Sequence, residues 1–103
     1  METEQRGTSR AKGQWVEVRK DLLEVFGEDL QDLRTTSGLE RRELVERSLM
    51  HATEVGLLER GQREPRFGTL IRLAVALEVP FGRLGDSAIG WFEYEAARGW
   101  RGK

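Results

Sequence analysis

The sequence predicts a small all-α domain, and three observations support that fold class. Apolar residues recur at steps of three or four along most of the chain, which is the period of an amphipathic helix. No stretch shows the alternation of apolar and polar residues that is typical of a half-buried strand. Glycines or a proline stand where the periodic stretches end. With 103 residues, 38% of them hydrophobic, the chain is large enough for one compact core.

The first predicted helix follows a polar segment, residues 1–13, that we interpret as a flexible tail. Ser37 and Gly38 end this helix, because glycine adopts the left-handed conformation of a helix C-terminus at little cost. Gly27 lies inside it without a nearby proline, which leaves open one long helix or two short ones. Its periodic apolar positions are Trp15, Val18, Leu22, Leu23, Phe26, Leu30 and Leu33.

The next two predicted helices are short. They cover 40–48 and 52–60, and Gly61 ends the second. Only Leu49, Met50 and His51 separate them. This is the layout of a helix-turn-helix, in which the second helix can enter the major groove of DNA. Taken alone, it is also the pattern of a helical hairpin that only contributes to a core.

Two further helices complete the predicted domain. The fourth covers 67–78, and its apolar stripe consists of Leu70, Leu73, Ala74 and Leu77. Pro80 starts a short segment, and Asp86 or Ser87 begins a last helix that ends near Gly99. We therefore expect one helical domain over 14–98, with a helix-turn-helix core at 26–84 and a second tail at 99–103.

The composition argues against several classes of function. The chain has no cysteine, and a single histidine cannot build a metal site, so we expect no metal. No cofactor-binding glycine loop or acid–base pair is visible, so we expect neither a cofactor nor an enzyme. No apolar run approaches the roughly 18 residues of a membrane span, and the N-terminus lacks an apolar signal core. The expectation is a cytoplasmic protein without membrane contact.

Specific motifs connect the helices to a known family. They are Leu30-x-x-Leu33-Arg34, then Val55-x-x-Leu58-Glu59-Arg60-Gly61-x-Arg63-x-Pro65, then Thr69-Leu70-x-x-Leu73-Ala74-x-Ala76-Leu77-x-Val79. This run of about 60 residues resembles the Cro/repressor (XRE) helix-turn-helix family. The resemblance implies a lambda-repressor-like five-helix domain, here with an extended N-terminal helix and an extra C-terminal helix.

The resemblance also implies roles for individual residues. It predicts a salt bridge between Arg34 and Glu59 that ties the first helix to the recognition helix. It implies that double-stranded DNA is the partner and that the chain binds it as a homodimer. The expected phosphate contacts are Arg41, Arg42, His51, Arg60 and Arg63, and the residues expected to face base edges are Ala52, Thr53, Gly56 and Leu57.

The chain departs from the family pattern in ways that leave two functions open. Glu40, His51 and Arg66 stand where the family has Ser or Thr helix caps, and Leu49 replaces the turn glycine. The net charge is −1, and no Arg, Lys, Asn or Gln lies among the predicted base-facing residues. One reading is a transcriptional regulator that binds operator DNA. The other is a member with weakened DNA binding that acts through protein contacts, as an antitoxin, an anti-activator or a partner of another regulator.

The aromatic residues near the C-terminus form a further candidate surface. Because Trp and Tyr are enriched in interface hot spots, they predict a dimer or partner surface. The alternative is that they only pack against the rest of the domain. The residues are Trp91, Phe92, Tyr94 and Trp100.

Overall fold

The computed structural model describes the backbone of residues 2–97 and the side chains of residues 15–94. Five α-helices are present in this part of the chain, and it contains no strand, which confirms the predicted all-α class. A short 3₁₀ helix, Phe81–Leu84, occupies the segment after Pro80. The α-helices are α1 (Glu2–Thr36), α2 (Arg41–Ser48), α3 (Ala52–Glu59), α4 (Phe67–Leu77) and α5 (Asp86–Ala97).

Helix α1 differs from the prediction at its N-terminal end. It begins at Glu2, so the segment predicted as a tail continues the helix. Residues 2–13 lack proline and include Glu, Gln, Arg, Ala and Lys, which are good helix formers, and these outweigh Gly7 and Gly13. Gly27 does not break α1. The predicted tail at 99–103, with Trp100, lies outside the described residues.

Gly27 is placed where α1 crosses the C-terminal end of α3. A Cβ atom at this position would lie 2.6 Å from the carbonyl oxygen of Glu59 and 2.7 Å from that of Leu58. Gly61 approaches α1 in the same way, since its Cβ would lie 2.9 Å from the Cα of Glu24. The two glycines therefore let α3 and its C-terminal turn pack directly on the backbone of α1.

The helix termini show which departures from the family pattern carry a structural cost. Gly61 ends α3 with φ +71°, as predicted for a glycine. Leu49 and Glu78 also adopt the left-handed conformation, with φ values of 57° and 58°, although a Cβ makes it unfavourable. The N-cap residues His51 and Arg66 make no side-chain hydrogen bond to the helices that follow them.

The core lies between α1, α2, α3, α4 and the 3₁₀ helix. Its fully buried side chains are Leu30, Leu44, Val55, Leu58, Leu73 and Leu84. Helix α5 packs against α1 and the 3₁₀ helix and covers the N-terminal part of the described α1 side chains, where Val18 and Leu23 are buried. No helix in the described part of the chain is both long and apolar enough to cross a membrane.

Candidate nucleic-acid interface

The turn between α2 and α3 sets the orientation of α3 relative to α2. Leu49 is the C-cap of α2, and its left-handed backbone reverses the chain direction. The backbone N–H of Met50 donates to the carbonyl of Val45 at 3.3 Å, and the Met50 side chain is buried. His51 is the N-cap of α3. The three turn residues thus place α3 at the surface with one face on the core.

Helix α3 has a clear inner and outer face. Val55, Leu58 and Glu59 are buried, and Thr53 and Ala52 are exposed. Leu57, four residues after Thr53, is half-buried on the same outward side. In helix-turn-helix proteins, the second helix of the pair contacts the DNA bases with its solvent-exposed face.

A buried carboxylate holds α3 in place. The side chain of Glu59 is 0% exposed, and Arg34 donates to it from Nε at 2.6 Å and from Nη2 at 3.3 Å. Arg34 also donates from Nη1 to the carbonyl of Leu39 at 3.0 Å. Gln31 donates to the backbone carbonyl of Glu59 at 2.8 Å. The structure thus brings together the Arg34–Glu59 pair that the resemblance implied, and it fixes α3 to α1.

Arg41 belongs to the same cluster, although it was predicted only as a phosphate contact. Its Nε donates to Oε1 of Glu59 at 3.0 Å, and its side chain is about half exposed. Its two terminal nitrogens have no hydrogen-bond partner in the part of the chain that the structure describes. Arg41 therefore joins α2 to α3 while its terminal nitrogens stay available for a phosphate. No periodicity within one helix could have indicated this bond, because it depends on how α2 and α3 pack.

The other predicted phosphate contacts lie at the surface. Arg42, His51 and Arg63 are exposed. Arg60 is exposed as well, and its Nε donates to Oε1 of Gln62 at 3.2 Å. Among the described residues, no group of three or more potential metal ligands converges.

One acidic side chain near the candidate interface is paired with a residue of α1. The sequence places Glu64 next to Arg63, where a free carboxylate would repel DNA. In the structure Glu64 accepts a hydrogen bond from Nε of Arg19 on α1 at 2.7 Å. This ion pair reduces the negative charge beside the candidate interface.

Gly56 corrects one prediction for the reading face. It was expected to face base edges, but it is buried. A Cβ at Gly56 would lie 3.0 Å from Nη1 of Arg60, because the Arg60 side chain folds back over the preceding turn. The outward face of α3 is therefore formed by Ala52, Thr53 and Leu57, with Arg60 covering Gly56.

The aromatic residues of α5 lie partly inside the domain. Trp91 and Phe92 are half-buried, and Tyr94 is exposed. Phe92 and Trp15 line a cavity of about 590 Å³ between α5, α1, α4 and the 3₁₀ helix. Of the described aromatic side chains of α5, only Tyr94 is exposed, and Trp91 and Phe92 are each exposed in part.

Comparisons with known proteins agree with this geometry. A family model described as a helix-turn-helix domain matches residues 25–84. The control protein C.SmaI of Serratia marcescens is 34% identical over 64 residues, which are 62% of this chain and 76% of that protein.

Solved structures show the same similarity. The restriction-modification controller protein C.AhdI of Aeromonas hydrophila is 37% identical, with a TM-score of 0.59 over 60% of this chain and 94% of that one. The clp gene regulator ClgR of Corynebacterium glutamicum is 30% identical, with a TM-score of 0.64 over 75% of this chain and 82% of that one. The chain therefore belongs to the helix-turn-helix domain family, in its Cro/repressor (XRE), lambda-repressor-like type of DNA-binding transcriptional regulators.

Proposed function

We propose that this chain binds operator DNA as a homodimer and places α3 in the major groove of each half-site. The observation that carries the proposal is the cluster around Glu59. This carboxylate fixes α3 through Arg34 and orients Arg41, so α3 lies beside a guanidinium whose terminal nitrogens have no partner among the described residues. Operator binding in a bacterial or phage setting also means a cytoplasmic location.

The residues of the interface have separate tasks in this proposal. Arg41, Arg42, His51, Arg60 and Arg63 bind phosphates, which positions the protein without reading sequence. The bases are read by three further residues. Thr53 hydrogen-bonds a base edge, and Ala52 and Leu57 contact thymine methyl groups. Because none of these three makes a bidentate contact, we expect a modest preference for sequence and a large contribution from phosphate contacts.

Selection from a random pool of DNA duplexes at low salt tests the proposal. We expect an operator to be enriched, with affinity that falls steeply as salt is added, because bound phosphates release counterions. Arg63→Ala should weaken binding to all sequences and reduce the salt slope by about 1. Thr53→Val should instead change which sequences are preferred.

Lys20→Ala is the matched control for the loss of a positive charge. Lys20 is exposed on α1, outside the proposed interface, so its removal should leave the salt slope unchanged. If the random pool yields no enriched sequence at low salt, the DNA-binding proposal is wrong. An equal loss of affinity in Lys20→Ala and Arg63→Ala would contradict the assignment of Arg63 to the interface.

The runner-up is a member of the family that acts mainly through protein contacts. Two observations favour it. Leu49, in the turn before α3, is 81% exposed. No basic residue lies among the base-facing positions. In that case the random pool would yield no operator, and Leu49→Gln would abolish capture of a protein that co-purifies with the chain.

A further inference from the structure

The outward face of α3 carries a guanidinium at its centre, although no residue at that point of the helix has a charged side chain. Gly56 lies three residues after Thr53 and four after Ala52, so helix geometry places all three on the same side of α3. Gly56 has no side chain of its own, and yet it is buried. The side chain that covers it is that of Arg60, from the end of the helix.

The guanidinium of Arg60 is in close contact with the backbone at Gly56. A Cβ at Gly56 would lie 3.0 Å from Nη1 of Arg60, 3.6 Å from its Cζ and 3.6 Å from its Nη2. Long side chains of a helix lean towards the N-terminus, and one turn of the helix rises about 5.4 Å. Arg60 therefore carries its charge from the last turn of α3 back towards the N-terminal part of the helix. In a helix-turn-helix, that is the part that contacts base edges.

The turn at the end of α3 holds Arg60 in this position. The N–H of Gly61 donates to the carbonyl of Leu58 at 3.1 Å, and the N–H of Gln62 donates to the carbonyl of Leu57 at 2.8 Å, which together form a Schellman motif. The motif fixes the backbone of Gln62, and Oε1 of Gln62 accepts a hydrogen bond from Nε of Arg60 at 3.2 Å. Because the Gln62 amide is neutral, it orients the guanidinium without neutralising its charge.

The terminal nitrogens of Arg60 remain available to a ligand. Among the residues that the structure describes, neither Nη1 nor Nη2 has a hydrogen-bond partner, and Arg60 forms no ion pair. The neighbouring carboxylate of Glu59 is fully buried and is bound by Arg34 and Arg41. The donors of one guanidinium match the two acceptors, O6 and N7, that guanine presents in the major groove.

We propose that Arg60 reads a guanine base in the major groove, through hydrogen bonds from its guanidinium to O6 and N7. This inference rests on the DNA binding of the proposed function, and it moves Arg60 from the phosphate contacts to the base contacts. Arg60 then supplies the bidentate contact that Ala52, Thr53 and Leu57 lack. We expect a strong preference for G·C at one base pair of each half-site, beside the modest preference elsewhere.

Gly56 is part of the same arrangement, because it leaves the space that the guanidinium occupies. Even a Cβ there would approach Nη1 to 3.0 Å, so Gly56→Ala should displace the Arg60 side chain. The displaced atoms belong to the end of a flexible side chain, and alanine is a better helix former than glycine. Gly56→Ala should therefore leave the melting temperature no lower than that of the wild type, and should remove the G·C preference.

Affinities for one duplex and its single base-pair variants test the inference. The duplex is the one that the wild-type chain enriches from the random pool. Exchanging G·C at one base pair should lower the affinity of the wild type by roughly 5- to 150-fold. Arg60→Ala should bind all four base pairs at that position equally. Arg63→Ala is the matched control for the loss of an arginine. It should weaken binding to every variant by the same factor and keep the G·C preference.

An atomic substitution in the DNA tests the contact itself. A guanine analogue with carbon in place of N7 still pairs with cytosine but lacks one of the two acceptors. At the guanine of that base pair, it should weaken binding of the wild-type chain by about 5-fold or more and leave binding of Arg60→Ala unchanged. Gly56→Ala should respond as Arg60→Ala does. Far-UV circular dichroism establishes that both variants fold.

The possible outcomes separate this inference from the proposed function. If Arg60→Ala weakens binding to all variants equally and every base preference persists, Arg60 is a phosphate contact. The inference is then wrong, although the chain binds operator DNA. A Gly56→Ala protein that keeps the G·C preference contradicts the placement of the guanidinium over Gly56. If the wild-type chain enriches no sequence at low salt, the proposed function and the inference both fail.

Discussion

The glycine at the crossing of α1 and α3 provides the sharpest test of this packing. We consider Gly27→Ala, which adds one methyl group. Its Cβ would lie 2.6 Å and 2.7 Å from two backbone carbonyl oxygens of α3, those of Glu59 and Leu58. Backbone atoms cannot rotate aside, so α1 and α3 must separate. The same Glu59 carbonyl accepts a hydrogen bond from Gln31 at 2.8 Å, which this separation would lengthen.

Two opposing contributions decide how much Gly27→Ala changes the free energy of unfolding. Overpacking a well-packed interface costs about 1–3 kcal/mol. Alanine recovers about 0.8–1.0 kcal/mol of helix propensity relative to glycine. Because both contacts are with backbone atoms, we place the packing cost at the upper end and expect a net loss of about 2 kcal/mol. For a domain of this size, that corresponds to a decrease in Tm of about 10 °C.

Equilibrium unfolding in urea, followed by far-UV circular dichroism, measures this loss. Gly90→Ala in α5 is the matched control, since nothing lies within 4 Å of the Cβ it would add. This control should gain about 0.5–1 kcal/mol, because alanine is the better helix former. The two variants make the same chemical change and should move the free energy of unfolding in opposite directions. A Gly27→Ala protein as stable as the wild type would refute the close crossing of α1 and α3.

Three further substitutions test other features of the structure by the same measurement. Leu49→Gly should raise the free energy of unfolding by about 0.5–1 kcal/mol, because the strain that a Cβ causes in the left-handed conformation exceeds the entropy cost of glycine. A decrease in the free energy of unfolding would contradict strain at Leu49. Arg34→Met should lower the free energy of unfolding by about 3 kcal/mol, at the lower end of the range for removing one partner of a buried ion pair, because Arg41 still neutralises Glu59 in part. A loss below about 1 kcal/mol would show that the Arg34–Glu59 pair is not needed for stability. His51→Ser should raise stability by about 1 kcal/mol by capping α3, and should lower DNA affinity because a predicted phosphate contact is lost. Higher stability together with unchanged affinity would remove His51 from the interface.

The sequence alone determined the order of the helices and most of their boundaries. Apolar spacing of three and four residues located α2, α3 and α4 to within a residue or two, because a helix that packs on one face must repeat its apolar side chains at that period. Glycine positions marked the ends of α1 and α3 for an equally local reason. The motif around Glu59 identified the helix-turn-helix family, since its residues stand at fixed distances along the chain.

Features that depend on contacts between helices could be read only from the tertiary structure. The bond from Arg41 to Glu59, the burial of Gly56 beneath Arg60, and the pairing of Glu64 with Arg19 each join groups whose distance the sequence does not encode. The spacing of Phe67, Ile71 and Val75 was visible in the sequence. The side of α4 predicted to carry its apolar stripe, with Leu73, Ala74 and Leu77, is the buried one. The exposure of Phe67, Ile71 and Val75 on the other side was established only by the way α2 and the 3₁₀ helix pack against α4. Local periodicity therefore determined the elements, and packing decided which of their surfaces remain exposed to solvent.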